Sequence, residues 1–99
     1  MAQVILSERL RGDFDRIFDF LFEHLPETAA GRIEAIIAAL DVLESSPLIG
    51  RPVENGKREL VIATGASGYL ALYRYVPELD TVFVLAVRSQ RELGFGNPK

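Results

Sequence analysis

Arg74, Arg88 and Arg91 stand at the ends of two apolar, β-prone runs, residues 69–76 and 81–87, and Lys57 and Arg58 lead into a third. Two readings of the three arginines are open. They pair with Glu78, Asp80 or Glu92 while their stems snorkel over apolar surface, or they form a cationic contact for a partner. Cations alone do not cut RNA. Metal-free cleavage also needs a base for the 2′-hydroxyl proton and an acid for the leaving oxygen. The only histidine, His24, closes a helical pattern, where solvent or the helix dipole accounts for it.

Other chemistry is thinly supplied. There is no cysteine, which excludes disulfides and cysteine zinc sites. Asp15, Asp19 and Glu23 repeat at a spacing of four, the mark of a solvated helix face before that of a metal site or a surface for a basic partner. The segment Gly65-Ala-Ser-Gly68 lacks the lysine of a phosphate loop and reads as a turn. Ser67 and Ser89 have no histidine to activate them. No cofactor, metal or catalytic residue is expected.

These residues must be positioned by a small number of elements. Residues 2–6 form a short apolar run fit for a strand, and Ser7 then offers an N-cap hydroxyl. Leu10, Phe14, Ile17, Phe18, Leu21 and Leu25 share one face at helical spacing. Pro26 suits the first turn of a second helix, whose stripe is Ala29, Ile33, Ile36, Ile37, Leu40 and Leu43. Residues 48–56, which follow Pro47 and contain Gly50, Pro52 and Gly56, read as a loop. Residues 58–63 form a strand, 64–67 a turn, and the runs 69–76 and 81–87 a hairpin about Pro77 and Asp80.

The expected fold is therefore α+β in the order β-α-α-β-β-β. A helix hairpin, residues 8–24 and 27–45, packs on one face of a mainly antiparallel four-stranded sheet. Ninety-nine residues allow one domain, expected over 1–92 with a tail at 93–99. The composition, 48% hydrophobic and 25% charged, is that of a soluble globular protein. No leader pattern appears, nor an apolar run of the roughly 18 residues that span a bilayer, so a cytoplasmic protein is expected. The net charge of −3 conceals an asymmetry. Residues 1–50 carry four Lys/Arg against nine Asp/Glu, and residues 51–99 carry seven against five. The chain lacks the overall basicity of a nucleic-acid binder, but its second half can carry a basic rim.

Several stretches together resemble the RelE/ParE superfamily of toxins from type II toxin–antitoxin modules. They are the run from Asp13 to Leu21, Gly50-Arg51-Pro52, Arg58-Glu-Leu-Val61, Tyr69 with Leu72-Tyr-Arg74, and Val87-Arg-Ser-Gln-Arg91. The resemblance spans nearly the whole chain and implies a cognate antitoxin as partner. It also implies one of two activities. Ribonucleolytic members, which cut mRNA on the ribosome, carry an arginine three residues before the strand tyrosine, where Leu70 stands here. Arg91 could match their late arginine, and Lys57 and Arg58 their basic second-strand residues. Gln90, Phe95 and Asn97 hold the late positions and cannot exchange a proton. The ribonuclease set is thus incomplete, and the chain looks closer to the ParE branch, whose members inhibit DNA gyrase.

The expected function is a ParE-like toxin acting on a cellular target, with DNA gyrase the candidate. The alternatives are an mRNA interferase of the RelE kind and a non-toxic interaction domain. Neither a membrane nor sequence-specific DNA binding by the toxin alone is expected. The target- or antitoxin-binding residues are Arg58, Leu70, Leu72, Arg74, Arg88 and Arg91. Hydrophobicity alone would turn Leu70 and Leu72 towards the helices, whereas the resemblance turns them outward and leaves an apolar strip exposed for a partner. Arg74 should lie near the hairpin turn. Arg88 and Arg91 should emerge at the far end, joined by Arg58 if its strand begins on that side.

Overall fold

A computed structural model describes residues 1–24, 26–64 and 67–89. The elements are β1 (Gln3–Leu6), α1 (Glu8–His24), α2 (Ala29–Leu40), β2 (Arg51–Pro52), β3 (Arg58–Thr64), β4 (Ser67–Val76) and β5 (Thr81–Ser89). The strands form one sheet in the order β1-β5-β4-β3-β2. β1 lies parallel to β5, and the other neighbours are antiparallel. The α+β class holds, with the apolar hairpin β4–β5 in the interior of the sheet. Among the described residues, no helix is long and apolar enough to cross a membrane.

Both helices bury the stripes their spacing marks. Leu10, Ile17 and Leu21 of α1 and Ala29, Ile36 and Leu40 of α2 enter one core with Ile62, Tyr69, Ala71, Tyr73, Val82, Val84 and Val87 of the sheet. Each buried leucine or isoleucine contributes about 1.5–3 kcal/mol. Phe18 and Ile37 are exceptions: both are placed in the stripes by spacing, but Ile37 is exposed, and Phe18 sits at the helix flank and stacks on exposed Phe22 at 5.8 Å. His24 stacks on Phe20, and its Nδ1 lies 2.8 Å from the Phe20 carbonyl.

The sheet has five strands, not four. The additional β2 pairs only Arg51 with Glu59 and Pro52 with Arg58. Two residues carry no period-2 signature, and an edge position tolerates the missing N–H of Pro52. Asn55 (φ 63°) and Gly56 (φ 72°) turn the chain from β2 into β3. The second helix starts at Ala29 and gives way at Leu40 to a 3₁₀ turn over Asp41–Glu44, shorter than the expected 27–45. β3 reaches Thr64 and β4 begins at Ser67, so Gly68 is a strand residue. Gly65 and Ala66, and the expected tail at 93–99, lie outside the described residues.

The β4–β5 connection is built as its sequence suggests. Pro77–Leu79 forms a 3₁₀ turn, and Asp80 takes a left-handed conformation (φ 46°) that its short polar side chain tolerates. The Tyr75 hydroxyl donates to Asp80 Oδ1 at 2.8 Å. That hydrogen bond, then desolvation and the Asp80 charge, raises the Tyr75 phenol above its ordinary value.

Candidate functional site

The face of β4 decides where a site can form. Tyr69, Ala71 and Tyr73 are buried against the helices, so Leu70 and Leu72 lie on the opposite, open face. The aromatic rings, not the leucines, fill the core.

β5 reaches the same open face through a β-bulge. Leu72 pairs with Ala86 but Tyr73 pairs with Val84, which leaves Leu85 as the extra residue. Val84 and Val87, three apart, are therefore both fully buried, and Leu85, Ala86 and Arg88 all border the open face. Unbroken alternation from Val82 and Val84 would have sent Arg88 towards the core.

The result is a groove of about 410 Å³. Its floor is Leu70, Leu72, Leu85 and Ala86, and its cations are Arg9, Lys57 and Arg88. Arg88 stands directly across the ladder from Leu70. Glu59 also lines the groove and accepts from Arg51 Nη2 at 2.6 Å. Ser7 lies at the margin, and its hydroxyl donates to the Leu85 carbonyl at 3.3 Å. No histidine or tyrosine is among the groove's described residues. An apolar floor with a cationic rim suits a ligand that combines apolar side chains with negative charge.

Two expected site residues lie elsewhere. Arg58 pairs with Tyr73 and so occupies the helix-facing side of the sheet, opposite to Arg88. Its Nη1 donates to the carbonyls of Gly50 (2.7 Å) and Leu48 (3.2 Å), which ties down the loop before β2. The Gly50 N–H donates to the buried Tyr73 hydroxyl at 2.8 Å in the same cluster. Arg58 therefore does not join Arg88; strand register puts it on the other face. Arg74, beside Phe83 near the hairpin turn, donates to the Asn55 carbonyl at 2.9 Å. Arg91 lies outside the described residues. Asp15, Asp19 and Glu23 are exposed, and among the described residues no His/Cys/Asp/Glu group is arranged for a metal.

Residues 4–94 match the family described as ParE toxin of type II toxin-antitoxin system, parDE. The chain belongs to the ParE toxin family. It is also 30% identical over 92 residues to Toxin RelE3 of Caulobacter vibrioides, a match covering 93% of this chain and 98% of that toxin. The fold is similar to the chromosomal ParDE system from P. aeruginosa, with a TM-score of 0.74, 22% identity and coverage of 89% of this chain and 95% of that one. The intact E. coli RelBE toxin-antitoxin complex follows at a TM-score of 0.58 and 19% identity, covering 89% and 95%. At those identities the two structures show likeness of fold.

Within this ParE-family toxin, sequence reasoning missed Arg9 and Glu59 as groove residues. Arg9 did carry a signal. A cation in the first turn opposes the helix dipole, a misfit of about 0.3–1 kcal/mol that asks for another reason. Glu59 carried none, because a lone acid in a strand looks like any solvated side chain. The buried Asp13 was legible too: three residues after Leu10 and four before Ile17, it falls on the apolar face.

Proposed function

We propose that this ParE-family toxin arrests growth by binding a cellular target, with DNA gyrase as the candidate, and that a cognate antitoxin neutralises it. The observation that carries this reading is the groove floor. Leu70 stands where a ribonucleolytic member of the superfamily would present a phosphate-stabilising arginine, and Leu72, Leu85 and Ala86 extend the apolar surface around it. An oxyanion or phosphate donor of that kind typically contributes about 10²–10³ in rate. The similar folds from P. aeruginosa and E. coli belong to systems that pair a toxin with an antitoxin, which supports the same kind of partner here. An extended segment that folds on binding would cover the groove with apolar side chains and direct acids at Arg9, Lys57 and Arg88.

Controlled expression with and without the adjacent antitoxin frame tests the reading. Growth arrest relieved by co-expression, a DNA-damage response and inhibition of purified gyrase supercoiling are expected. Arrest without effect on gyrase would remove that target.

A second reading, ribosome-dependent mRNA cleavage, draws on Glu59, a carboxylate in one groove with three cations. Cleavage of ribosome-bound mRNA by the wild type that disappears in Glu59→Gln would favour it over the first.

A further inference from the structure

β1 covers the edge of β5 only as far as the pair Leu6–Val84. Past that point the edge of β5 away from β4 lies beneath α1 with no strand beside it among the described residues, and its buried polar groups require other partners. The beginning of α1 supplies them. The Ser7 N–H donates to the Val84 carbonyl at 3.1 Å, and the Ser7 hydroxyl to the Leu85 carbonyl. The Val87 N–H donates to Asp13 Oδ2 at 3.0 Å. Asp13 is only 4% exposed, and its Oδ1 accepts from Arg16 Nη1 at 3.1 Å, so both carboxylate oxygens are held.

Of these contacts, only that of Asp13 falls beyond the bulge. Leu85 is the extra residue, Val87 enters the core and Arg88 is next. Aiming the Val87 N–H at α1 fixes the parity of the strand from there on: Val87 inward, Arg88 into the groove. We propose that Asp13 is a positioning residue, which holds the bulge in register and so places Arg88 on the groove wall where it meets the toxin's cellular target, the partner whose inhibition arrests growth. The part concerning the partner rests on the groove reading above; the part concerning register does not.

The test uses the full chain as wild type, Asp13→Ala, Asp13→Asn and Arg88→Ala, with amide hydrogen exchange by NMR and growth arrest as readouts. In wild type, a scalar coupling across the hydrogen bond from the Val87 amide to the Asp13 carboxyl carbon is expected, and its absence overturns the proposal whatever the variants do. Asp13→Ala should speed exchange at Val87, Arg88 and Ser89 by at least about tenfold relative to α2 and β3. Asp13→Asn retains a carbonyl oxygen to accept from Val87 and should restore most of that protection. Growth arrest should fall in Asp13→Ala to the level of Arg88→Ala and persist in Asp13→Asn. Exchange that rises evenly over the whole sheet would make Asp13 an ordinary core stabiliser and overturn the proposal. If Arg88→Ala keeps full growth arrest, the groove reading fails, and the local exchange pattern alone decides whether Asp13 sets the register.

Discussion

A single methyl group at Gly50 should be among the most damaging small changes in this protein. A Cβ there would stand 2.7 Å from each of three atoms: the Glu59 carbonyl oxygen, Tyr73 Cε1 and the Tyr73 hydroxyl. None can yield cheaply. The Tyr73 side chain is fully buried, and Glu59 is backbone of a paired strand. Overpacking of this kind costs about 1–3 kcal/mol. Pushing the Tyr73 ring away also strains or breaks the 2.8 Å bond from the Gly50 N–H, for a further ~1–3 kcal/mol. Gly50→Ala should therefore destabilise by about 2–6 kcal/mol, a large share of the ~5–15 kcal/mol available to a domain of this size. The melting temperature should drop by roughly ten degrees or more. Tyr73→Phe alone should cost about 1–3 kcal/mol by leaving the Gly50 N–H without its acceptor. The double variant should cost less than the sum by about 1 kcal/mol, because the hydrogen bond is lost once and one of the three obstructing atoms is gone. Urea unfolding of the four proteins at constant m measures this cycle. A Gly50→Ala cost below about 0.5 kcal/mol, or strict additivity, would refute the reasoning.

The two arginines of opposite faces should separate cleanly. Arg58→Ala should lose about 1–2 kcal/mol by freeing the Leu48 and Gly50 carbonyls, whereas Arg88→Ala should change stability by only about 0–1 kcal/mol and reduce growth arrest; urea midpoints and plating efficiency check both. Leu70→Glu, on the half-buried groove floor, should fold normally and weaken antitoxin binding at least about tenfold by setting a carboxylate against an acidic partner segment, as titration calorimetry can show. Tyr75 gives a pH test. Its phenol is raised in the folded state, so the folded protein binds that proton more tightly than the unfolded chain. The stability it contributes over Tyr75→Phe should be present below the ordinary phenol value of about 10 and be lost as pH climbs through the folded value. Urea midpoints of both proteins on either side of that range should converge on the alkaline side; a gap that widens there would reverse the sign of the argument.

The amino-acid sequence by itself determined what depends on neighbours along the chain. Leu10, Ile17 and Leu21 lie on one helical face because their spacing matches the turn of a helix, and the hairpin follows from two apolar runs about Pro77 and Asp80. The tertiary structure decided every question of side. Both faces of β4 are apolar, and hydrophobicity alone would have turned the leucines inward; packing of α1 and α2 on Tyr69, Ala71 and Tyr73 leaves them on the open face, where the resemblance put them. Alternation along β5 fails at Leu85, because one extra residue shifts every later side chain to the other face, and that shift brings Arg88 beside Leu70. Arg58 went to the wrong group for a related reason: its face depends on being opposite Tyr73, a register set across strands and invisible in the order of residues. The sheet edge could not be read either. A strand that stops at Leu6 leaves backbone groups without partners, and only the fold shows that Asp13, 74 residues from Val87, comes to bind one of them.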